Sequence, residues 1–318
     1  MDYKTFVRKA NRRIRREIFS RLYLDLGKEK DFILVFGSGR SGTTWLADAI
    51  SQAFGYRLIF EPFWHLHIDV DGVRDYFHHR YISIEDNRYD NQIKYVMSGK
   101  YKNIRTNMNY RYGPFRGRVI KDICANLFME KILQIFPQAP IIFVIRHPCA
   151  VVLSRLRKGN WSSPWGWHAY LFNNQKDFIE KYFNNKKFIP KDELEDHAIT
   201  YCYENYLPLL IRNENIYFVY YERLVLDIKS EMEKIFNYIE KRGNQKRCIN
   251  SLQEIKIKYL ITSPDSQMSL MKDRVRHLYS WRNDLTAKDN EEIKKIVRQF
   301  RLEYVYEEIE ELVMQELN

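Results

Sequence analysis

Eight consecutive residues, Gly37-Ser38-Gly39-Arg40-Ser41-Gly42-Thr43-Thr44, combine small side chains, hydroxyl donors and one cation in a single turn. They follow a short apolar run and precede a helical pattern, so successive backbone N–H groups and a helix N-terminus converge there. Such a turn is an anion cradle in which glycines allow close approach. Arg40, Ser41, Thr43 and Thr44 add donors to it. Farther along, Arg146 ends another apolar run, and Ser154 follows eight residues later on the next helical pattern. A forked guanidinium and a hydroxyl suit a second phosphate.

Gly37 and Gly42 have the spacing of a Walker A turn, but Thr43 stands where that motif has its lysine. The cation comes earlier, at Arg40. A nucleoside triphosphatase also needs a Ser/Thr beside that lysine to hold magnesium. A kinase or ATPase is disfavoured on this count, and Asp122, a candidate magnesium ligand at a strand end, is the one feature that speaks for it.

The elements that must position these groups can be read from the pattern. FILVF (32–36) and IIFVI (141–145) are continuous apolar runs, as expected of strands buried on both faces. YRLIF (56–60), a weak strand ending at 119–120, and NIYFVYY (215–221) complete a set that alternates with helical segments. That alternation predicts an α/β fold with a central parallel sheet flanked by helices. A helix is expected from Thr43 to near Gly55, with Leu46, Ala49, Ile50 and Ala53 as its core stripe and Trp45 off it. A helix over 127–136 stops at Pro137, another opens at Pro148, and a capping box of Thr286 with Asp289 opens a long C-terminal helix. Aromatic-rich stretches at 63–117 and 158–200 break the rhythm and read as insertions in one domain over 31–318. Ligands of an open parallel sheet bind beyond the carboxyl ends of its strands. The cradle, Glu61, Lys121, Arg146 and Tyr221 all fall at such ends and are expected to share one rim.

The stretch S38-G-R-S-G-T-T-W-L46 resembles the 5′-phosphosulfate loop of sulfotransferases that use 3′-phosphoadenosine 5′-phosphosulfate (PAPS). R146-H-P with S154-R is similar to the 3′-phosphate motif of that family, with His147 in place of the commoner aspartate. The resemblance implies a P-loop-type three-layer fold, PAPS as donor with PAP as product, and no required metal. It assigns Arg40, Ser41, Gly42, Thr43 and Thr44 to the 5′ side and Arg146 and Ser154 to the 3′ phosphate. Trp45 would stack on adenine. Tyr221, in Y220-Y-E-R-L224, would contact the nucleotide. Arg274, seven residues before Trp281, would reach the 3′-phosphate, although the glycine of the family pattern is missing.

In-line group transfer needs a base for the acceptor hydroxyl and cations around the transferring group. The cytosolic members' histidine position is Ile123 here, so that transfer fails. F60-E-P-F-W-H-L-H67 instead resembles a stretch of carbohydrate 6-O-sulfotransferases, which implies Glu61 as base, with Lys121 and Arg40 stabilising charge. Together with Trp64, Trp161, Trp165 and Trp167, that match points to a glycan or glycolipid acceptor. A small alcohol or phenol acceptor would share every PAPS motif. His65 and His67 lack a third ligand at recognisable spacing, so no metal site is expected there.

The chain has 318 residues and 45% apolar content, enough for a sizeable core. Its four cysteines are scattered without metal or disulfide spacing, which fits reduced thiols and a cytoplasmic location. No run of about 18 apolar residues offers a membrane span. Residues 1–30 carry ten Lys/Arg against four Asp/Glu, a net +6 of the chain's +11. Apolar residues every three or four positions make this a basic amphipathic helix, either in peripheral contact with an anionic membrane or solvated and packed on the domain. A binder of nucleic acid would not need the two phosphate motifs, and none is expected as partner.

Overall fold

The computed structural model describes residues 24–315 except 65, 71–72, 102–105, 107–113, 159–167, 212, 244 and 250–277. Residues 1–23 of the 1–30 segment expected as a basic helix, His65, the three tryptophans 161, 165 and 167, and Arg274 therefore lie outside the described residues. The helix expectation fails at the end of that segment, where Leu24–Asp25 form a short strand paired with Pro114–Phe115.

Five apolar runs pair into one parallel sheet: β1 (Phe32–Gly37), β2 (Arg57–Phe60), β3 (Arg118–Lys121), β4 (Ile141–Ile145) and β5 (Ile216–Tyr220). Their spatial order is β2-β3-β1-β4-β5. Every residue of β1 and β4 is buried, which is why both read as unbroken apolar runs rather than alternating ones. The side chains of these strands feed two cores. Leu34, Phe36, Ile120 and Phe143 face one, Ile33, Val35, Val119 and Val144 the other.

Each core is closed by helices, giving three layers. Helix α1 (Thr43–Phe54) and α5 (Ile228–Gly243) cover one face. Helices α2 (Pro148–Lys158), α3 (Glu193–Ile211), α6 (Ala287–Gln299) and α7 (Glu303–Gln315) cover the other. Between β5 and α5, the short helix α4 (Tyr221–Leu226) starts directly at the strand end, so Tyr221 opens a helix instead of closing the strand. The capping box of Thr286 and Asp289 is present, but the C-terminal helix breaks at Arg301, whose φ of 57° is left-handed.

The helices after β1 and β4 leave toward opposite faces, and these strands are neighbours. Their divergence opens a crevice at the carboxyl end of the sheet, where an open parallel sheet receives ligands. The stretches read as insertions supply an antiparallel pair (His67–Val70 with Val73–Tyr76) and helices over Asp90–Met97, Ala169–Asn173 and Lys176–Phe183. Phe183, Phe188 and Tyr203 pack edge-to-face or stacked on Phe300, and Phe178 packs on Tyr203, fastening the second insertion to the core. Among the described residues no helix is long and apolar enough to cross a membrane.

One expectation fails at α1. Leu46, Ala49, Ile50 and Ala53 are buried as the stripe predicts, but Trp45 is buried too, at 7% exposure, in the core that holds Leu224. Helix α1 is covered on more than one side because α4 and α5 also pack there, so a single-stripe pattern undercounts its contacts.

Candidate active site

At the end of β1 the chain enters the turn at Gly37, and α1 begins after Gly42, whose φ of 91° only glycine adopts readily. A Cβ at Gly42 would lie 2.5 Å from Cδ2 of Tyr221, so the tyrosine ring closes directly on the turn. No side chain caps the start of α1. Its first N–H groups keep their capacity for an anion.

Arg40 also adopts a left-handed φ, 77°, which turns its side chain toward α2. Its Nε donates to Oγ of Ser154 at 3.0 Å. Arg146, one residue past β4, donates from Nη1 to the carbonyl of Arg40 at 2.9 Å, and its guanidinium lies 4.5 Å from the centre of the Tyr221 ring. The phosphate turn, the β4 end, α2 and α4 are thus tied together by the four residues whose motifs lie far apart in sequence. Partial desolvation, then the neighbouring Arg146 and Arg155, lower the pKa of Arg40.

A second set of side chains, not singled out by the motifs, holds the turn from below. Arg155, 1% exposed, donates to the carbonyl of Gly39 at 3.1 Å and to Oε2 of Glu204 at 2.6 Å. Asn205 donates to Oγ of Ser38 at 2.6 Å and Asn126 to the carbonyl of Gly37 at 3.2 Å. His147, which stands where the resembling motif commonly has aspartate, is a buried packing residue: its ring stacks on Trp281 at 4.5 Å, and its backbone N–H donates to Glu222. Only the adjacency of Arg155 to Ser154 hinted at any of these.

The other half of the rim is built on β2 and β3. Phe60 and Lys121 are register partners, so Glu61 emerges beside Lys121 and ion-pairs with it. Glu61 has a left-handed φ of 44° and donates its backbone N–H to the Lys121 carbonyl. Lys121 is 3% exposed and sits 4.6 Å over the Phe60 ring, whereas the Glu61 side chain keeps 19% exposure. Asp122 is fully buried, and its oxygens accept the backbone N–H groups of Phe63 at 2.9 Å and Cys124 at 2.6 Å. Burial, and secondarily Glu61, push its carboxyl up to about 7. An aspartate so enclosed is a loop-shaping residue, which corrects its alternative role as a magnesium ligand. Strand β3 borders β1, which borders β4, so Lys121 and Arg146 start roughly 10 Å apart across the rim.

The rim therefore brings together Arg40, Ser41, Gly42, Thr43, Thr44, Arg146, Ser154 and Tyr221 on one side and Glu61 with Lys121 on the other. It offers a cation-lined cradle next to a carboxylate–ammonium pair. Trp45 stands close to the cradle, its Nε1 3.1 Å from where a Gly42 Cβ would be, but from within the core.

Residues 32–242 match the family model described as "Sulfotransferase family". No curated protein sequence matches the chain. Among solved structures, mouse sulfotransferase SULT7A1 complexed with PAP shares 15% identity over 86% of each chain, with a TM-score of 0.45. Retinol dehydratase in complex with androsterone and inactive cofactor PAP shares 13% over 91% of this chain and 84% of its own, with a TM-score of 0.42. Sulfotransferase STF9 from Mycobacterium avium shares 11% over 86% and 76%, with a TM-score of 0.39.

Proposed function

This chain belongs to the sulfotransferase family, and from that premise we propose that it transfers a sulfuryl group from PAPS to an acceptor hydroxyl, with a glycan or glycolipid as acceptor class. The observation that carries the donor assignment is the Arg40–Ser154 and Arg146–Tyr221 bracing around an uncapped helix start with no Walker lysine.

The residues present fit such a donor. Ser41 Oγ, Trp45 Nε1 and Arg146 Nε are buried polar atoms without a hydrogen-bond partner in the structure. A buried unpaired donor costs about 1–3 kcal/mol, a cost that an incoming acceptor oxygen relieves. When bound, PAPS supplies the activated sulfuryl group and a phosphate leaving group. Thr43, Thr44 and the N–H groups opening α1 would hold its 5′ side, and Arg146 with Ser154 its 3′-phosphate. Tyr221 would flank the nucleotide. Trp45, 7% exposed, would reach it through Nε1, which lies beside Gly42.

Glu61 is the candidate to take the acceptor proton, since it is the solvent-contacting carboxylate of the rim. Lys121 and Arg40 would neutralise charge at the transferring group. The acceptor class rests on the Glu61-Pro62-x-Trp64-His65 sequence and its resemblance to carbohydrate sulfotransferases.

Thermal unfolding in the presence of PAP, and separately of ATP with magnesium, tests the donor. PAP should raise the midpoint and ATP with magnesium should not; stabilisation by ATP–magnesium alone overturns the proposal. Labelled PAPS offered to glycans, glycolipids and small phenols then tests the acceptor, with transfer confined to phenols counting against the glycan class.

A further inference from the structure

We propose that His78, His79 and Cys124 form a binding site for one late first-row divalent metal ion of the zinc class, tying the first insertion to the loop that follows β3. This inference is independent of the sulfuryl-transfer proposal.

One ring nitrogen of each histidine and the Cys124 sulfur all lie within 4.8 Å of one another. The Sγ of Cys124 is 3.9 Å from Nε2 of His79. Zn–S and Zn–N bonds of about 2.3 and 2.0–2.1 Å at tetrahedral angles set a ligand–ligand separation of about 3.5 Å, so the His79–Cys124 pair is within a few tenths of an ångström of it and no pair need close by more than about 1.5 Å. Cys124 and His79 are buried at 0% and 3% exposure, and His78 is half-buried.

Two consecutive histidines do not ordinarily converge, because successive side chains point to opposite faces of a strand or well apart on a helix. Here His79 has a left-handed φ of 51°, and the two rings lie 4.5 Å apart on the same side. Trp64 packs on His78 at 4.0 Å and Phe172 on His79 at 5.2 Å, fixing both rings.

The surroundings select the ion. Glu204 approaches His79 Nε2 with Oε1 at 3.8 Å, and its other oxygen is held by Arg155. His168 lies 6.2 and 6.5 Å from the two rings, and both Asp122 oxygens are taken by backbone N–H groups. A set of imidazole and thiolate suits zinc or cobalt and not magnesium or calcium, which take oxygen ligands. Binding breaks the Cys124 S–H bond and forms a sulfur–metal bond, and the proton leaves to solvent. The ion would clamp the Phe77–Arg80 turn to Cys124, three residues past Lys121, and so hold that side of the rim in place.

The test is titration of chelator-treated full-length protein with Co2+. One equivalent should bind, with thiolate-to-cobalt charge transfer in the near ultraviolet, tetrahedral d–d bands in the visible, and displacement by Zn2+. Cys124→Ser should abolish the charge-transfer band and weaken binding by about 100-fold or more, whereas Cys248→Ser, at the exposed thiol, should change neither. Should Cys124→Ser fail to fold, the Cys248→Ser protein decides: Zn2+ should slow alkylation of Cys124, mapped by mass spectrometry. Absence of stoichiometric binding, a cobalt spectrum without thiolate character, or alkylation of Cys124 indifferent to Zn2+ overturns the site.

Discussion

The two sides of the rim are built on the same sheet edge from opposite materials. On the β1–β4–β5 side, cations meet backbone carbonyls and an aromatic ring: Arg146 on the Arg40 carbonyl and the Tyr221 face, Arg40 on Ser154. Donors there stay unpaired, namely Ser41 Oγ, Trp45 Nε1 and Arg146 Nε. On the β2–β3 side, Lys121 is neutralised by Glu61, and both Asp122 oxygens are satisfied by the main chain. The first side leaves donors unpaired, whereas the second pairs its charges within itself. Under the proposed in-line transfer, the first side would hold the donor and the second would handle the acceptor proton and transient charge.

Substitutions on the two sides should therefore differ in kind. The largest effect is expected at Glu61. Glu61→Gln should lower transfer by roughly 10²–10⁴-fold while PAP affinity, measured by calorimetry, stays within about twofold, because the cradle is untouched. It should also lower Tm, since the buried Lys121 loses its counter-ion. Near-normal turnover would eliminate Glu61 as the base.

Next in size, Arg146→Ala should weaken PAP binding by about 10–100-fold, the loss of charge-assisted hydrogen bonds worth about 1.5–3 kcal/mol. An unchanged PAP affinity would dissolve the distinction between the two sides. Ser154→Ala should have a smaller effect of about 1 kcal/mol, near fivefold, seen in KM for PAPS more than in kcat. Equal losses in both parameters would place Ser154 in the chemistry instead.

The smallest expected effect is in stability. Asp196 on α3 supports the second insertion by accepting the N–H groups of His168 and Ala169, and burial raises its carboxyl to about 6. A carboxyl raised in the folded state binds its proton more tightly than in the unfolded chain. The stability it contributes is present below the unfolded value near 4 and is lost as pH rises through about 6. Asp196→Asn should escape that loss, so the Tm difference, variant minus parent, should become more positive by a few degrees between pH 5 and pH 8. A difference independent of pH would show that Asp196 titrates normally.

Much of this was legible before any tertiary structure. Strands β1 and β4 were delimited within a residue, because a strand buried on both faces is an unbroken apolar run. The capping box at Thr286 and the glycine stop of α1 followed from local chemistry alone. Glu61 and Lys121 were placed on one rim by their positions at strand ends, but their ion pair needed the β2–β3 register. Trp45 misled because its burial comes from α4 and α5, more than 170 residues away in sequence. Arg155, Asn126 and Asn205 were invisible as supports of the phosphate turn, since a buried polar residue has no sequence signature until its partner is known.

The phosphate turn is the clearest division between the two sources of information. Sequence by itself determined that an anion cradle lies between a strand and a helix, because glycine spacing and hydroxyl donors act locally, within one turn of chain. Through the missing lysine, sequence also speaks against a nucleoside triphosphate as that anion. Only the tertiary structure decided that Tyr221 closes on Gly42, that Arg146 braces Arg40, and that His78 and His79 meet Cys124. Those contacts join segments separated by tens to hundreds of residues, and their geometry is fixed by strand order, strand register and the packing of two cores.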